Sequence, residues 1–245
     1  MAAAYLRRKE GFPVAYIKRD LEEKILSLSE EYSAILITGP RQVGKTTVLR
    51  QLMGQDRAYV TLDDLEERAM AKTDPGLFLQ VHSRPLLIDE VQYAPQLFSY
   101  IKMEIDNGAA PGSFWLTGSQ AFHRMDLAQE SLAGRVALLH MPSLSQHEIY
   151  GSGSVSPFTV DLDALKERAK THQPADVQEI YRRIWKGSMP GLISGRFSDR
   201  EVFYSSYMQT YIDRDVSELV HLTDKLIFRD FIRAAACRIG QLLNI

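Results

Sequence analysis

Short apolar runs alternate with segments of helical spacing over the first 150 or so residues, and that alternation then stops. Ala34-Ile-Leu-Ile-Thr38 is apolar, partly β-branched and followed by glycine, the pattern of a strand buried on both faces. Thr46 to Met53 follows with Val48, Leu49, Leu52 and Met53 on one helical face. Four more strands are predicted at Ala58-Tyr-Val-Thr-Leu62, Pro85-Leu-Leu-Ile-Asp89, Ser113-Phe-Trp-Leu-Thr117 and Val136-Ala-Leu-Leu-His140. Between them, Asp63 to Ala71 and Ala94 to Asn107 have helical character. Strands separated by helices predict an α/β fold with a parallel sheet covered on both faces.

After Gly151-Ser-Gly-Ser-Val-Ser-Pro157, a turn-rich stretch, no clear strand follows. Asp161 to Lys170, Asp176 to Trp185, Arg200 to Val220 and Lys225 to Leu243 read as helices, interrupted at Gly187-Ser-Met-Pro190-Gly191. The expected organisation is an α/β core over 1–150, a flexible connection over 151–174 and an all-helical part over 175–245. In the last helix Phe228, Phe231, Ile232, Ala235, Ile239 and Leu242 recur at spacings of three and four. Cys237 lies in this apolar stretch and is expected in the core as a small hydrophobe. The stripe is still apolar where the sequence stops at Asn244-Ile245, the pattern expected of a fragment of a longer protein.

Composition narrows the class without naming a chemistry. The chain has 245 residues, 45% hydrophobic and 24% charged, with a net charge of -2. That balance is globular, and it is not that of a dedicated nucleic-acid binder, although a local basic face remains open. A single cysteine excludes a disulfide framework and fits a cytoplasmic setting. Arg7, Arg8 and Lys9 are followed by no apolar run, so no signal peptide is read there, and no stretch approaches the roughly 18 apolar residues of a membrane span.

The chemistry lies at the strand ends. Gly39-Pro40-Arg41-Gln42-Val43-Gly44-Lys45-Thr46 fits the phosphate-loop pattern G-x-x-x-x-G-K-S/T, after a predicted strand and before a predicted helix. The glycines let backbone N–H groups turn inward on phosphate oxygens, and the helix adds its positive dipole end. Lys45 supplies a point charge for the outer phosphates, and the Thr46 hydroxyl is a Mg²⁺ ligand; Thr47 follows at the loop's end. Leu86-Leu-Ile-Asp89-Glu90 is an apolar strand ending in two carboxylates. Asp89 is expected to hold Mg²⁺ directly or through water, and Glu90 to act as general base on the attacking water. The alternative for Asp89 is a helix cap.

Three further groups are open to two readings each. Ser119 or Thr117, at the end of the predicted fourth strand, could reach the γ-phosphate or the water; ordinary turn chemistry is the alternative. Arg135, just before the predicted fifth strand, could reach a neighbouring subunit's γ-phosphate; a surface salt bridge is the alternative. Tyr207, Tyr211, Arg214 and Asp215 share a helix face and could sense nucleotide, or simply pack. The six histidines show no metal spacing, and no G-x-S-x-G elbow is present.

Together these residues resemble a bacterial and archaeal group of AAA-type ATPases that join an ATPase core to a C-terminal nuclease-like domain. The resemblance is carried by Ile37 to Thr47, Leu87 to Pro95, Leu116 to Gln120, Glu130 to Arg135, Pro142 to Ser145, Tyr211 to Val216 and Ala235 to Asn244. It implies the P-loop NTPase three-layer sandwich with strand order 5-1-4-3-2, followed by a helical lid. It also implies ATP and Mg²⁺ as ligands, Ser119 as a sensor, Arg135 as a finger in a homo-oligomer, and Tyr16 to Arg19 near the adenine. Two departures stand out. Gly187-Ser-Met-Pro-Gly191 replaces the group's usual Gly-Gly-aromatic-Pro-Glu turn, which puts a lid contact from this turn in doubt. The nuclease-like domain is absent from this sequence.

The function expected from these readings is Mg²⁺-dependent ATP hydrolysis that gates or drives an attached effector. A nucleotide-dependent switch with little hydrolysis of its own is the alternative, and a role in nucleic-acid processing is permitted by Arg182, Arg183, Lys186 and Arg196. A small-molecule kinase on the same fold is disfavoured by Glu90, which provides a base for water.

Overall fold

The computed structural model describes residues 16–118, 134–150, 159–171, 175–212 and 225–241. Five strands form one sheet: β1 (Ala34–Thr38), β2 (Ala58–Thr61), β3 (Leu86–Asp89), β4 (Phe114–Gly118) and β5 (Val136–His140). Their order is β2-β3-β4-β1-β5, with every pairing parallel. This is the expected 5-1-4-3-2 order read from the other edge. Every residue of β1, β3 and β4 is buried, whereas β2 and β5 mix buried with partly exposed positions. Unbroken apolar runs therefore mark the inner strands, where helices cover both faces.

Because side chains alternate across a strand, the sheet splits its apolar residues between two cores. Ala34, Leu36, Leu86, Ile88, Phe114 and Leu116 face one side. They pack there against α3 (Leu65–Thr73), α4 (Pro75–Val81) and α5 (Leu97–Asp106) through Ala71, Phe78, Leu97 and Ile101. Ile35, Ile37, Leu87 and Trp115 face the other side, against Ile25 of α1 (Glu22–Glu31) and Val48 and Leu49 of α2 (Lys45–Leu52).

The later helices are α6 (Gln146–Tyr150), α7 (Leu162–Thr171), α8 (Val177–Lys186), α9 (Pro190–Ile193), α10 (Arg200–Thr210) and α11 (Lys225–Ala236). Met189, Leu192 and Phe203 join the second core, so the turn before α9, α9 itself and α10 dock on the α1–α2 side. The Gly187–Gly191 turn is also stitched to the segment after β5. The Leu144 N–H donates to the Ser188 carbonyl at 3.0 Å, and the Ser143 and Ser188 hydroxyls lie 2.7 Å apart.

The β2–β3 connection carries two helices, because Asp74 ends α3 and its carboxylate accepts the Leu77 N–H to cap α4, which opens on Pro75. Two expectations are corrected. The helix expected over Arg200 to Val220 is regular only to Thr210, and 213–220 lies outside the described residues. Cys237 is exposed, not buried, as are Leu226, Ile227 and Phe231 on α11. Periodicity locates an apolar face but does not say what covers it.

Candidate nucleotide-binding site

The loop after β1 is shaped by two glycines. At Gly39 a Cβ would lie 2.2 Å from the Met141 carbonyl oxygen, so only glycine allows β1 and the end of β5 to run this close. Gly44 takes φ 97° as the N-cap of α2 and offers no side-chain cap. The first turn of α2 therefore presents its N-terminal, positive dipole end with no N-cap side chain over it. Val43, between these points, is fully buried in the second core and anchors the loop.

Lys45 opens α2 and is buried, its ammonium donating to the carbonyls of Gly39 at 3.0 Å and Pro40 at 2.9 Å. The next residue reaches the neighbouring acid: the Thr46 hydroxyl donates to Asp89 Oδ1 at 2.7 Å. Asp89 ends β3 only 7% exposed. Its Oδ1 also accepts the hydroxyl of Thr117 on β4, and its Oδ2 lies 3.4 Å from the Tyr59 hydroxyl on β2. The sheet order explains the cluster, since β3 lies between β2 and β4 and β4 lies between β3 and β1.

Glu90 follows with φ 57° and ψ 44°, the left-handed region that a non-glycine residue adopts at a cost. Its N–H donates to Thr117 Oγ1 at 3.1 Å, which holds that conformation. The carboxylate accepts the side-chain amide of Gln92. Burial is the main cause that raises the Glu90 carboxyl above its ordinary range; the Gln92 bond and the Lys45 and Arg41 charges pull it back only in part. A carboxyl raised in this way holds its proton more firmly than an ordinary glutamate.

The predicted residues divide clearly. Gly39 to Thr46, Asp89 and Glu90 form one continuous site. Arg135 does not join it. The Arg135 side chain is 39% exposed and its Nε pairs with Asp106 Oδ1 at 2.5 Å. Val136, the next residue, registers with Ala34, at the end of β1 away from the phosphate loop. The strand between spans roughly 13 Å at the usual rise. Ser119 lies outside the described residues, as do Arg214 and Asp215. Thr117 sits beneath Asp89, fully buried, and Tyr207 is partly buried against the second core, stacked on Phe203 with ring centroids 6.4 Å apart.

Arg19, which the resemblance puts near the adenine, is a buried tie on the phosphate loop. Its guanidinium donates to the Val43 carbonyl at 2.8 Å and the Pro142 carbonyl at 2.9 Å, and its Nε bonds Glu148. The roles of Gln92 and Tyr59 went unread in the sequence. The available signal for Gln92 was a neutral polar residue two positions after a pair of acids.

Among the described residues no group of three or more His, Cys, Asp or Glu side chains could hold a metal. Thr46 and Asp89 instead offer a hydroxyl beside a carboxylate. That donor set suits a hard cation that keeps most of its waters, as Mg²⁺ does, and does not suit a fully protein-ligated ion. Among the described residues no helix is long and apolar enough to cross a membrane.

Residues 31–150 match the family model described as an AAA domain, and residues 177–245 match one described as a domain of unknown function (DUF8612). Uncharacterized protein Rv2008c of Mycobacterium tuberculosis and Uncharacterized protein Mb2031c of Mycobacterium bovis are each 29% identical over 205 residues, which is 82% of this chain. The aligned region is 40% of the length of each of these relatives. Among solved structures, the Walker-type ATPase PABY2304 of Pyrococcus abyssi aligns with a TM-score of 0.48 at 16% identity, over 83% of this chain and 75% of that one. A RuvB variant of Thermotoga maritima aligns with a TM-score of 0.36 at 17% identity, over 54% and 47%.

Proposed function

We propose, from an AAA domain over residues 31–150, that this chain binds ATP with Mg²⁺ at its phosphate loop and hydrolyses it to drive or gate an attached effector. The observation that carries the reading is the convergence of the Thr46 and Thr117 hydroxyls on Asp89, with the Glu90 N–H held on Thr117, beside a loop that already holds a buried lysine.

The backbone N–H groups of the loop and of the first turn of α2 would cradle the phosphates. Lys45 would exchange its two carbonyl contacts for the β- and γ-phosphate oxygens, which are better partners for an ammonium. Thr46 and Asp89 would hold Mg²⁺, whose charge, when bound, offsets the charge developing on the phosphates. Glu90 would take the proton from the water that attacks the γ-phosphorus. The bond from that phosphorus to the bridging oxygen then breaks, leaving ADP and inorganic phosphate. An acid with a raised pKa suits this step, because it accepts a proton more readily than an ordinary carboxylate.

A second reading rests on the position of Arg135. It is tied to Asp106 at the far end of the sheet, where it serves no phosphate of its own chain. A chain acting alone would then be a nucleotide-dependent switch with slow hydrolysis. Full turnover would need a second copy whose Arg135 approaches the phosphate loop. The effector is assigned to a region beyond the 40% of the relatives that this chain spans, and a nuclease-like domain acting on nucleic acid is the kind this reading expects.

Calorimetry and ATP turnover on wild type, Lys45→Ala and Glu90→Gln test the proposal. Lys45→Ala is expected to lose nucleotide binding, and Glu90→Gln to bind ATP without turning it over. Unchanged affinity in the first, or full turnover in the second, overturns it.

A further inference from the structure

The base is gripped by a residue that the hydrolytic reading does not itself require. Gln92 lies in the single 3₁₀ turn Val91–Tyr93 after Glu90 and is 2% exposed. A glutamine is seldom buried so deeply unless its amide is engaged, because an unmet amide costs a few kcal/mol in such surroundings. Here the Nε2 donates to Glu90 Oε2. The Oε1 end lies against the end of β4, where a Cβ on Gly118 would approach it to 3.2 Å. One side chain thus spans from the carboxylate of Glu90 to the last residue of β4.

The backbone closes the same circuit from below. The Glu90 N–H donates to Thr117 Oγ1, and the Thr117 hydroxyl donates to Asp89 Oδ1, which also accepts Thr46. The Tyr93 N–H donates to the Glu90 carbonyl at 3.1 Å, fixing the turn that carries Gln92. A Glu90 side chain on a left-handed backbone has several rotamers open to it, and the amide selects one. With Oε2 bonded to the amide, the carboxylate is held in one orientation.

We propose that Gln92 is a positioning residue for the base: its amide fixes the Glu90 carboxylate against the end of β4 and so sets the orientation in which it meets the attacking water. This rests on Glu90 being the base. Gln92 therefore aims the base, an effect that a purely packing role would not produce.

The test uses Gln92→Met, which keeps length and burial, and Gln92→Asn, which keeps the amide but cannot reach. Both are compared with wild type in the full chain. ATP affinity should be unchanged, because a residue that acts by aiming the base contributes to the step after binding. Turnover should fall about tenfold to a hundredfold, a part of what a positioned base contributes. The loss should fall on kcat, with KM for ATP unchanged. Independently of activity, the side-chain ¹⁵NH₂ resonance of Gln92, assigned by its loss in Gln92→Met, should shift in Glu90→Gln, because its acceptor changes from a carboxylate to an amide. An unmoved Gln92 resonance overturns the proposal, and so does turnover equal to or faster than wild type, which would make the contact a restraint. Absence of turnover in every protein including wild type would sink the ATPase reading instead, and the Gln92 resonance would still decide on the contact.

Discussion

Arg19 and Glu148 stand 129 positions apart in the chain and form a buried ion pair, Nε to Oε1 at 2.8 Å, with each side chain 4% exposed. Glu148 is further engaged by the Asp20 N–H at 2.9 Å and the Ser145 N–H at 2.7 Å. The remaining guanidinium donors go to carbonyls of the phosphate loop and of the segment after β5. The pair therefore joins three pieces of chain that the sheet alone leaves separate.

Removing one member strands the other as a buried charge, which costs on the order of 3 kcal/mol or more. Arg19→Met and Glu148→Leu should each destabilise the fold by about that amount in chemical denaturation. The double variant should recover much of the loss, since replacing both charges with apolar groups is often close to neutral. Arg19→Met should also weaken ATP binding, because the Val43 carbonyl then loses its donor and the loop its anchor. Additive losses in the double variant would show that the two residues act separately.

Asp89→Asn separates the structural from the electrostatic role of that residue. An amide oxygen can still accept the Thr46 and Thr117 hydroxyls, so nucleotide-free stability should change by less than about 1 kcal/mol. The charge for Mg²⁺ is gone. Turnover should therefore fall by at least about a hundredfold, and ATP binding should lose most of its dependence on Mg²⁺ in calorimetry. Retained Mg²⁺ dependence would move the metal site elsewhere.

What could be read from the sequence follows from burial. The inner strands β1, β3 and β4 are covered on both faces, so each reads as an apolar run that turns polar only at its C-terminal end. The phosphate loop and the Asp89-Glu90 pair were legible because their chemistry is local in sequence. Gln92 was not, because its meaning depends on β4 lying beside β3, which brings Gly118 to its amide. The Arg19–Glu148 pair was hidden for the same reason at longer range. Cys237 was misread because a helical stripe records which face is apolar, and on α11 that face is exposed.

Glu90 also predicts a pH-dependent stability. Its carboxyl is raised in the folded state, chiefly by burial, so folding favours its protonated form. That contribution is fully present below the ordinary carboxylate range and is lost as pH rises through the folded-state pKa. Glu90→Gln carries a permanent neutral side chain and should be more stable than wild type at pH 7. The difference should shrink as pH falls toward about 4, the ordinary glutamate value. Denaturant midpoints at the two pH values check this, and a gap that grows on acidification would contradict the sign.

Arg135 and Asp106 offer the clearest separation of stability from assembly. Their side chains are 39% and 45% exposed, so the pair is screened, and Asp106→Ala should change stability by less than about 1 kcal/mol. If Arg135 serves a neighbouring copy, specific turnover should rise with protein concentration in wild type and stay flat in Arg135→Ala. An operating finger is worth roughly 10³ to 10⁵ in rate, so the two curves should part widely once copies associate. Asp106→Ala frees the guanidinium from its intramolecular partner, and its curve should rise at lower protein concentration than that of wild type. Turnover per chain that is constant across the series, in wild type and Arg135→Ala alike, would leave Arg135 as the surface ion pair it forms with Asp106.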